Sequence, residues 1–427
     1  MLISLLSFSI LHHPLSNLRL LILIRCSRTF TLKHNTVFTY SLRRLWPICG
    51  HAASLKIHDL PGTLLHTQPL PVTEFGAHAY NGRRGEMHTV LLEHALQLGV
   101  KVRWGVEVGS YWESGAATRN ETRHEGQETD GPGSDAGIPS EAESGRAGVV
   151  LTSSERLEAD VVVAADGVWS TARGYVLGYL DRPKSSGYAI YRAWFNAQDH
   201  GIDKDPLTDF MCKGEDVVYA WIGLDVHFIT SCSQNGTAIS CVLTHRDTSD
   251  IPESYSLPGS KPDVLRIVRD WDPRCAAVLS KAPHFVDWKL VYRDPLPTWI
   301  SKGGRVLLVG DAAHPFLPTS IQGASQAIED GVALAVTLQL AGKRKVPLAV
   351  KAWEHIRYER VRLAQLIGES TRDKWHTAAP RKQGADIYLP RPEWLFAFDV
   401  EKDAYEVYAQ VSQKIEEQGY TMPVLPL

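Results

Sequence analysis

The chain has 427 residues, of which 44% are hydrophobic and 22% charged, and its formal net charge at pH 7 is −3. A chain of this length buries a large core and predicts two or three domains. The nearly balanced charge excludes the basic surface on which nucleic-acid binding depends. The six cysteines lie far apart without a CxxC or Cys/His pattern, which predicts free thiols and no metal site.

Residues 1–52 form an atypical segment without any acidic residue, and Asp59 is the first acidic residue of the chain. The segment combines arginines with apolar runs, as targeting peptides and membrane anchors do. Two histidines, a proline and an asparagine between positions 12 and 17 interrupt the apolar run before it reaches the roughly 20 residues that span a bilayer. We expect a segment outside the folded domain, for instance one read from a misplaced start. Membrane association through residues 1–24 stays an alternative.

The pattern of an ordinary globular protein begins at about residue 53. Two short strands are predicted around a turn at Asp59–Gly62, and a helix from about Glu86 to Leu98 is followed by a strand, as in an α/β layer. Residues 114–148 contain Ile138 as their only bulky apolar residue. Such a run cannot bury enough surface to offset the entropy of ordering, so we predict a disordered insertion between two strands.

The run Val161–Ala165 predicts a strand that is buried on both faces and ends at Asp166. Ligands in open α/β sheets bind at such strand ends. Ser170 and Arg173 follow the bend and could place a hydroxyl and a guanidinium near a phosphate. A surface turn with a solvated arginine is the alternative. Residues 187–244 then show several short β segments, which predict a largely antiparallel sheet.

A second buried strand, Arg305–Val309, ends at another aspartate bend, Gly310–Asp311. Gly323 and Ala324 begin a helix with side chains too small to shield its free N–H groups. This order predicts a ligand at the N-terminus of a helix, and a plain strand-loop-helix unit is the alternative. A final amphipathic stretch near residues 347–370 predicts packing helices.

The two bends also carry a family resemblance. The stretch "ADVVVAADGVWSTAR" resembles the DG motif, and "GDAAHPFLPTSIQGASQAIEDG" the GD motif, of FAD-dependent aromatic hydroxylases. The closest resemblance is to fungal salicylate-hydroxylase-like monooxygenases of secondary metabolism, including the paxilline type. It runs from about residue 53 to the C-terminus and includes "RPEWLFAFDVEKDAYE".

The resemblance implies an α/β fold, with an FAD-binding Rossmann-like three-layer domain that is N-terminally incomplete. An interleaved, mostly antiparallel β-sheet substrate domain and C-terminal helices complete it. We predict FAD-binding segments at 53–186 and 296–345, a substrate-binding β domain at 187–295, and a C-terminal helical region at 346–427.

The family also implies roles for single residues of the cofactor site. Asp311 would meet the ribityl chain of FAD, and the helix start at Gly323 and Ala324 would face the flavin. The family spacing Arg-x-x-x-His, with His88 fixing the register, assigns an FAD contact to Arg84. Asp166 would contribute to FAD and pyridine-nucleotide phosphate contacts.

Three further residues take their predicted roles from the same resemblance. Arg192 and Tyr219 would be active-site residues beside the flavin, on an aromatic-lined face suited to a flat substrate. His314 is predicted to be a loop residue near the flavin and not a catalytic base.

The implied enzyme is a cytoplasmic monooxygenase that uses FAD, O₂ and NADH or NADPH to hydroxylate or epoxidise a small aromatic or polycyclic substrate. One feature of the family is missing, because the sequence contains no GxGxxG motif for the FAD diphosphate. We therefore expect a parallel sheet without its central strand. A truncated, non-catalytic remnant and a flavin reductase or dehydrogenase without oxygen insertion remain the alternatives.

Overall fold

The fold was obtained as a computed structural model. It describes residues 3–8, 20–25, 30–32, 43–114, 145–252, 254, 256–376 and 387–424. Of residues 3–8, 20–25 and 30–32, and of Ala77 and Thr319, it describes the backbone alone.

The described residues form two large sheets and three small ones. The strands are β1 (Ile3–Phe8), β2 (Leu20–Arg25), β3 (Phe30–Leu32), β4 (Cys49–Gly50), β5 (Ser54–Asp59), β6 (Leu64–Pro69), β7 (Thr73–Glu74), β8 (Ala77–His78), β9 (Tyr80–Gly82), β10 (Lys101–Val106), β11 (Val108–Glu113), β12 (Ala147–Leu151), β13 (Arg156–Ala159), β14 (Val161–Ala165), β15 (Lys184–Asn196), β16 (Val217–Gly223), β17 (Val226–Ser233), β18 (Ala238–Arg246), β19 (Pro258–Gly259), β20 (Phe285–Tyr292) and β21 (Val306–Leu308).

Helices lie between these strands and dominate the C-terminal part. The α-helices are Arg84–Gln97, Ala172–Leu177, Lys261–Ile267, Pro273–Lys281, Gly323–Ala341, Val346–Trp375, Glu393–Phe396 and Val400–Gln418. Short 3-10 helices are Trp46–Ile48, Asp209–Cys212, Gly310–Ala312, Pro318–Ser320 and Lys343–Lys345. None of the described helices is both long and apolar enough to cross a membrane.

The first large sheet has five strands in the order β10-β1-β2-β14-β21. Strand β14 is parallel to both of its neighbours, β2 and β21. Its residues Val161 to Ala164 are buried, because the three-stranded sheet β11-β12-β13 and the long C-terminal helices pack into one core with it. This is the three-layer α/β arrangement that the sequence predicted.

Two expectations for residues 1–52 are wrong where the structure describes them. The sheet does not lack a strand beside β14, since Leu20–Arg25 pairs with Val161–Ala165 in parallel. The segment is also not wholly outside the fold, because β1 pairs with β2 and β10, and β3 pairs with β9. Apolar residues such as those of "LRLLILI" can pair with a buried strand as well as enter a membrane, so composition alone did not separate the two.

The second large sheet has eight strands in the order β19-β20-β15-β18-β17-β16-β5-β6. Every pair is antiparallel except β16 with β5, which agrees with the predicted antiparallel pattern. Strands β5 and β6 precede residue 187, so the sheet that was predicted to form the substrate domain begins earlier in the chain than the predicted boundary. The helices Lys261–Ile267 and Pro273–Lys281 cover one face of this sheet.

The predicted insertion at 114–148 joins two paired strands, as expected. Strand β11 ends at Glu113 and pairs antiparallel with β12, which begins at Ala147. The prediction of disorder concerns mainly residues 115–144, which lie outside the described residues. Ala147 and Gly148 belong to the strand and correct the end of the predicted insertion.

Candidate active site

The two aspartate bends lie side by side at one edge of the five-stranded sheet. Strands β14 and β21 are parallel neighbours, and the backbone N–H of Val309 donates to the carbonyl of Ala164 at 3.0 Å. The carboxyl ends of parallel strands point the same way, so Asp166 and Asp311 follow adjacent strand ends. The edge therefore offers one shared crevice for a ligand.

Arg173 joins these bends from the helix Ala172–Leu177. Its Nε donates to the carbonyl of Ala312 at 2.7 Å, and its guanidinium also donates to the carbonyl of Asp311 at 3.0 Å. The side chain is only 1% exposed and pairs with Asp181. Both sequence interpretations of Arg173 are therefore wrong, because it is neither solvated nor open to a phosphate.

Asp311 presents an acceptor to this crevice. Burial raises the pKa of its carboxyl group, and the nearby His314, Arg84 and Arg173 oppose that rise. Among the described residues, no group donates a hydrogen bond to the Asp311 carboxylate. The residue is half-buried, so its carboxylate is accessible from the crevice. The carboxylate thus fits a ligand that carries hydroxyl groups.

The helix Gly323–Ala341 begins beside the same bend. Its first residues, Gly323 and Ala324, are half-buried, and no acidic side chain occupies its first turn. A Cβ on Gly323 would lie 3.2 Å from the Cβ of Phe316, so a larger residue would press on that ring. The free N–H groups of this 19-residue helix can face the negatively polarised edge of a ring.

A buried ionic network around Asp330 stabilises the Gly310–Asp311 bend. Asp330 accepts from the Gly310 backbone N–H at 3.0 Å and contacts His314 Nε2 at 2.6 Å. Burial opposes ionisation, but His314 and Arg357 together hold the pKa of Asp330 below its ordinary value. Gly310 itself has a φ of +56°, which a residue with a side chain rarely adopts. His314 lies in a loop, as predicted, and is held there by the carboxylate of Asp330, to which the sequence analysis assigned no role.

Arg84 occupies the first turn of the helix Arg84–Gln97 and acts electrostatically on Asp311. The preceding Arg83 points elsewhere, since its guanidinium carbon lies 6.0 Å from the ring centroid of Trp194 on the large sheet. The N-terminus of this helix therefore connects the aspartate bend with the eight-stranded sheet. Of the two arginines, Arg84 is the one beside the crevice.

Asp166 is buried, and burial raises its pKa. Its Oδ2 accepts from the backbone N–H of Thr171 at 2.9 Å, so the carboxylate caps the turn into the short helix Ala172–Leu177. This contact orders the bend. A contact of Asp166 with FAD or a pyridine nucleotide stays a prediction.

The register of the large sheet separates Arg192 from Tyr219. Arg192 pairs across the strands with Val242, which pairs with Ile229, which in turn pairs with Ala220. Directly opposed residues point to the same face of a sheet. Tyr219, the neighbour of Ala220, therefore points to the opposite face.

Tyr219 packs in the core beneath the helices Lys261–Ile267 and Pro273–Lys281, with its ring 5.0 Å from that of Phe210. Arg192 points away from this core, and its guanidinium carbon lies 5.6 Å from the ring centroid of Trp288. The two residues therefore do not share one face of the sheet, and the placement of either beside a flavin stays a prediction. The relative faces of two distant strands depend on the register of the strands between them.

The face that carries Arg192 is incompletely covered in its middle. We call this area the open surface; it comprises Arg192, Trp194, Val218, Ile229, Ser231, Ser240, Val242, Val286 and Trp288, all of which are half-buried. The neighbouring residues that point to the other face, such as Phe228 and Leu243, are fully buried. Half-buried residues in central strands show that the described residues cover this part of the face only in part.

On the same face, the cross-strand row that contains His227 is covered by the C-terminal end of the helix Val346–Trp375. His227 Nδ1 contacts His376 Nε2 at 2.9 Å, and Trp375 packs edge-on against the His227 ring at 5.7 Å. His227 is 6% exposed. The open surface is thus bounded at one end by these aromatic side chains and at the other by Arg83.

The residues present fit the flavin half of FAD better than its diphosphate half. Asp311 and the helix start at Gly323 supply an acceptor and free N–H groups, as described above. The strand beside β14 is Leu20–Arg25, and the chain contains no glycine before Gly50. A glycine-rich turn that cradles a diphosphate therefore cannot follow this strand.

This fold and these paired strand-end bends define a flavin-dependent oxidoreductase. The sequence profile of the family described as FAD binding domain matches residues 76–362. The chain belongs to this family of FAD-dependent monooxygenases, which confirms the resemblance noted in the sequence.

Curated relatives are fungal enzymes. The FAD-dependent monooxygenase fmqB of Aspergillus fumigatus is 34% identical over 367 residues, which cover 80% of each chain. Asperlicin C monooxygenase of Petromyces alliaceus is 34% identical over 343 residues, or 78% of this chain and 68% of its relative.

Solved structures share the fold. CtdE in complex with FAD and a substrate is 26% identical, with a TM-score of 0.78 over 92% of this chain and 91% of CtdE. FqzB is 30% identical, with a TM-score of 0.74 over 92% of this chain and 86% of FqzB. The cofactor of the family is FAD, in agreement with the prediction.

Sequence reasoning missed two residues that organise the site. Asp330 lies at the end of the quoted GD motif but was given no role there, and Arg357 lies outside both motifs; the buried contact of Arg357 Nε with Asp330 at 3.0 Å shows their role. A charged residue on a buried helix face was the signal that could have drawn attention to them.

Proposed function

We propose that the enzyme hydroxylates or epoxidises a small aromatic or polycyclic compound held against the open surface, with NADH or NADPH as reductant and O₂ as oxidant. One observation carries the proposal: the start of the helix Arg84–Gln97 links a half-buried sheet surface to the aspartate bend, since Arg83 lies over Trp194 and Arg84 interacts electrostatically with Asp311. A flat ring packs well on such a surface, and a guanidinium orients a polar substituent on it.

The cofactor contacts are part of the proposal. Asp311 would accept hydrogen bonds from ribityl hydroxyls, and the helix start at Gly323 and Ala324 would stabilise negative charge on the flavin. Arg84, which interacts electrostatically with Asp311, would contact FAD, and Asp166 would order the adjoining bend.

FAD supplies the redox chemistry and the activation of O₂. The residues of the chain position the reactants and exclude water. Arg192 would hold the substrate by a polar group, and Trp194 and Trp288 would fix the plane of its ring. The helix end at His376 would close one side of the site and limit the access of water.

Two further points belong to the proposal alone. A nicotinamide nucleotide would approach from the crevice near the Asp166 bend, and the choice between NADH and NADPH is left to the assay. We place the enzyme in the cytoplasm, because the five described cysteines are free thiols, which suits a reducing compartment.

The test is reconstitution of the full chain with FAD. Oxidation of NADH and NADPH, uptake of O₂ and the masses of products are measured with a panel of indoles and phenols, using isotopically labelled O₂. We expect one nucleotide to be oxidised faster when a compound is present, and a product that carries one labelled oxygen atom.

Two results would contradict the proposal. Nucleotide oxidation without any labelled product would indicate a reductase or dehydrogenase. A soluble, folded protein that takes up no FAD would indicate a non-catalytic member of the family.

A further inference from the structure

Two cysteines from separate elements meet on the helix-covered side of the eight-stranded sheet. Cys212 ends the 3-10 helix Asp209–Cys212, and Cys232 lies near the end of strand β17. Their Sγ atoms are 3.9 Å apart. A Cβ on Gly236 would lie 3.0 Å from the carbonyl oxygen of Cys212, so the 3-10 helix packs closely on the turn after β17. Either thiol alone is an ordinary small packing group, but two sulfur atoms in contact can be joined by oxidation.

The two cysteines differ in their freedom to move. Cys232 is 2% exposed, and its backbone is paired with Val217 on one side and with Ile239 on the other. Cys212 is half-buried, and residues 213–215, which follow it, are exposed. A disulfide requires a distance of about 2.05 Å between the sulfur atoms. A small shift of Cys212 at the start of the exposed segment supplies this approach while β17 stays in place.

The surroundings of the pair make its oxidation dependent on pH. Burial raises the pKa of the Cys212 thiol, although its contact with Cys232 opposes the rise. Burial raises the pKa of Cys232 as well. The thiolate is the reactive form of a cysteine, so the reaction is slow at neutral pH and accelerates as the pH rises. The charged groups around the pair are Asp203, Asp209, Lys213 and Asp216.

We propose that Cys212 and Cys232 are a site of reversible oxidation, at which a hydroperoxide converts the two thiols into an intramolecular disulfide. The Cys212 thiolate attacks one oxygen of hydrogen peroxide, the O–O bond breaks, and hydroxide leaves as a sulfenic acid forms. The Cys232 sulfur then attacks the Cys212 sulfur, the S–S bond forms, the S–O bond breaks and a second hydroxide leaves. The two thiol protons end on the two hydroxides. The thiols are thus oxidised by two electrons, and the peroxide is reduced to two water molecules.

The disulfide tethers the 3-10 helix to the sheet. This helix carries Met211, which is buried, and Phe210, whose ring packs 5.0 Å from the ring of Tyr219. The oxidation needs neither the flavin nor a substrate. The site is therefore independent of the reaction proposed for the enzyme, and its failure would leave that reaction untouched.

The test is peptide mapping of the full chain after exposure to hydrogen peroxide. The remaining thiols are alkylated under denaturing conditions, and the tryptic peptides are analysed by mass spectrometry without reduction. Cleavage after Lys213 and after Arg246 places Cys212 on one peptide, and Cys232 together with Cys241 on another. We expect these two peptides to be cross-linked, with the loss of two hydrogen atoms, and dithiothreitol to separate them. The rate should rise about tenfold from pH 7 to pH 8, as the thiolate fraction does.

Two variants identify the linked sulfur atoms. Cys241→Ala removes the other thiol of the Cys232 peptide, which is 1% exposed, and is the matched control that keeps the cross-link. Cys212→Ser, a substitution of similar size at a half-buried position, abolishes it. The map of the wild type needs no variant to be decisive.

Four results would overturn the proposal. They are the absence of any oxidation, a sulfinic or sulfonic acid at Cys212 with Cys232 still reduced, a link from either residue to another cysteine or to a second chain, and a rate that does not change with pH.

Discussion

The Nε atom of Arg173 donates to the carbonyl oxygen of Ala312 at 2.7 Å, and this bond ties the Asp166 bend to the Asp311 bend. The two residues are 139 positions apart in the chain. A buried guanidinium that satisfies two backbone carbonyls fixes the crevice before any ligand binds. The backbone of the two bends therefore forms the flavin site, and the Arg173 side chain holds that backbone in place.

Replacement of Arg173 by methionine keeps the volume of the side chain and removes its charge. We expect a loss of about 3 kcal/mol in the free energy of unfolding, because the carbonyls of Asp311 and Ala312 lose their buried donor. Urea denaturation followed by circular dichroism measures the loss. Arg182→Met, at an exposed position nearby, is the control, and an equal effect of both variants would refute the bridging role.

The main features of the fold could be predicted from the sequence. Val161–Ala165 and the run up to Val309 have the composition of doubly buried strands, and each ends in an Asp-Gly or Gly-Asp pair. The pairing of Leu20–Arg25 with β14 could not be predicted, because an apolar run carries no information on its partner.

The site was predicted only in part, for reasons of long-range geometry. The register of the family resemblance selected Arg84 over Arg83; Arg84 interacts electrostatically with Asp311, and its contact with FAD stays a prediction. The opposite faces of Arg192 and Tyr219 could not be predicted, because they depend on the register of the three strand pairs that connect the two strands. The predictions for Arg173 failed because no local feature of the sequence distinguishes a buried arginine from a solvated one.

Asp311→Asn tests the proposed ribityl acceptor. We expect the Kd for FAD to rise about 10- to 100-fold, since a charged acceptor loses its strength toward hydroxyl donors. Titration of the apoprotein with FAD, followed by flavin fluorescence, measures it. Asp270→Asn, an exposed aspartate on the substrate side, is the control.

The same variant gives a second readout in the absence of FAD. The folded-state pKa of Asp311 is raised, so its favourable contribution to stability is present at low pH and is lost as the pH rises through that pKa. The apo variant should therefore become more stable than the wild type as the pH rises. A constant difference across pH would show that the carboxylate is not buried in the apoprotein.

Glu354 predicts a pH dependence that is independent of the cofactor. Burial raises its pKa from 4.5 to about 7, although the backbone N–H of Trp299 and the hydroxyl of Thr298 oppose the rise. Its stabilising contribution is complete below the unfolded pKa and is lost as the pH rises through about 7. Glu354→Gln keeps the acceptor for Trp299 and removes the titration.

We expect the variant to gain about 2–3 kcal/mol relative to the wild type between pH 5 and pH 8, from the linkage of pKa to unfolding. Urea denaturation of the two proteins at both pH values measures the gain. A parallel pH dependence of wild type and variant would exclude Glu354 as its source.

Substitutions of Arg192 and Tyr219 test whether these residues lie on opposite faces of the eight-stranded sheet. Arg192→Met should lower kcat/KM about a hundredfold for the compound that is turned over, since an oriented charged donor is lost at the reacting ring. Tyr219→Phe should stay within twofold, because the Tyr219 ring packs in the core on the opposite face. Steady-state oxidation of the preferred nucleotide with FAD-loaded protein measures both. A large loss in Tyr219→Phe with unchanged thermal stability would mean that this hydroxyl reaches the flavin, and the register that separates the two faces would then have to be different.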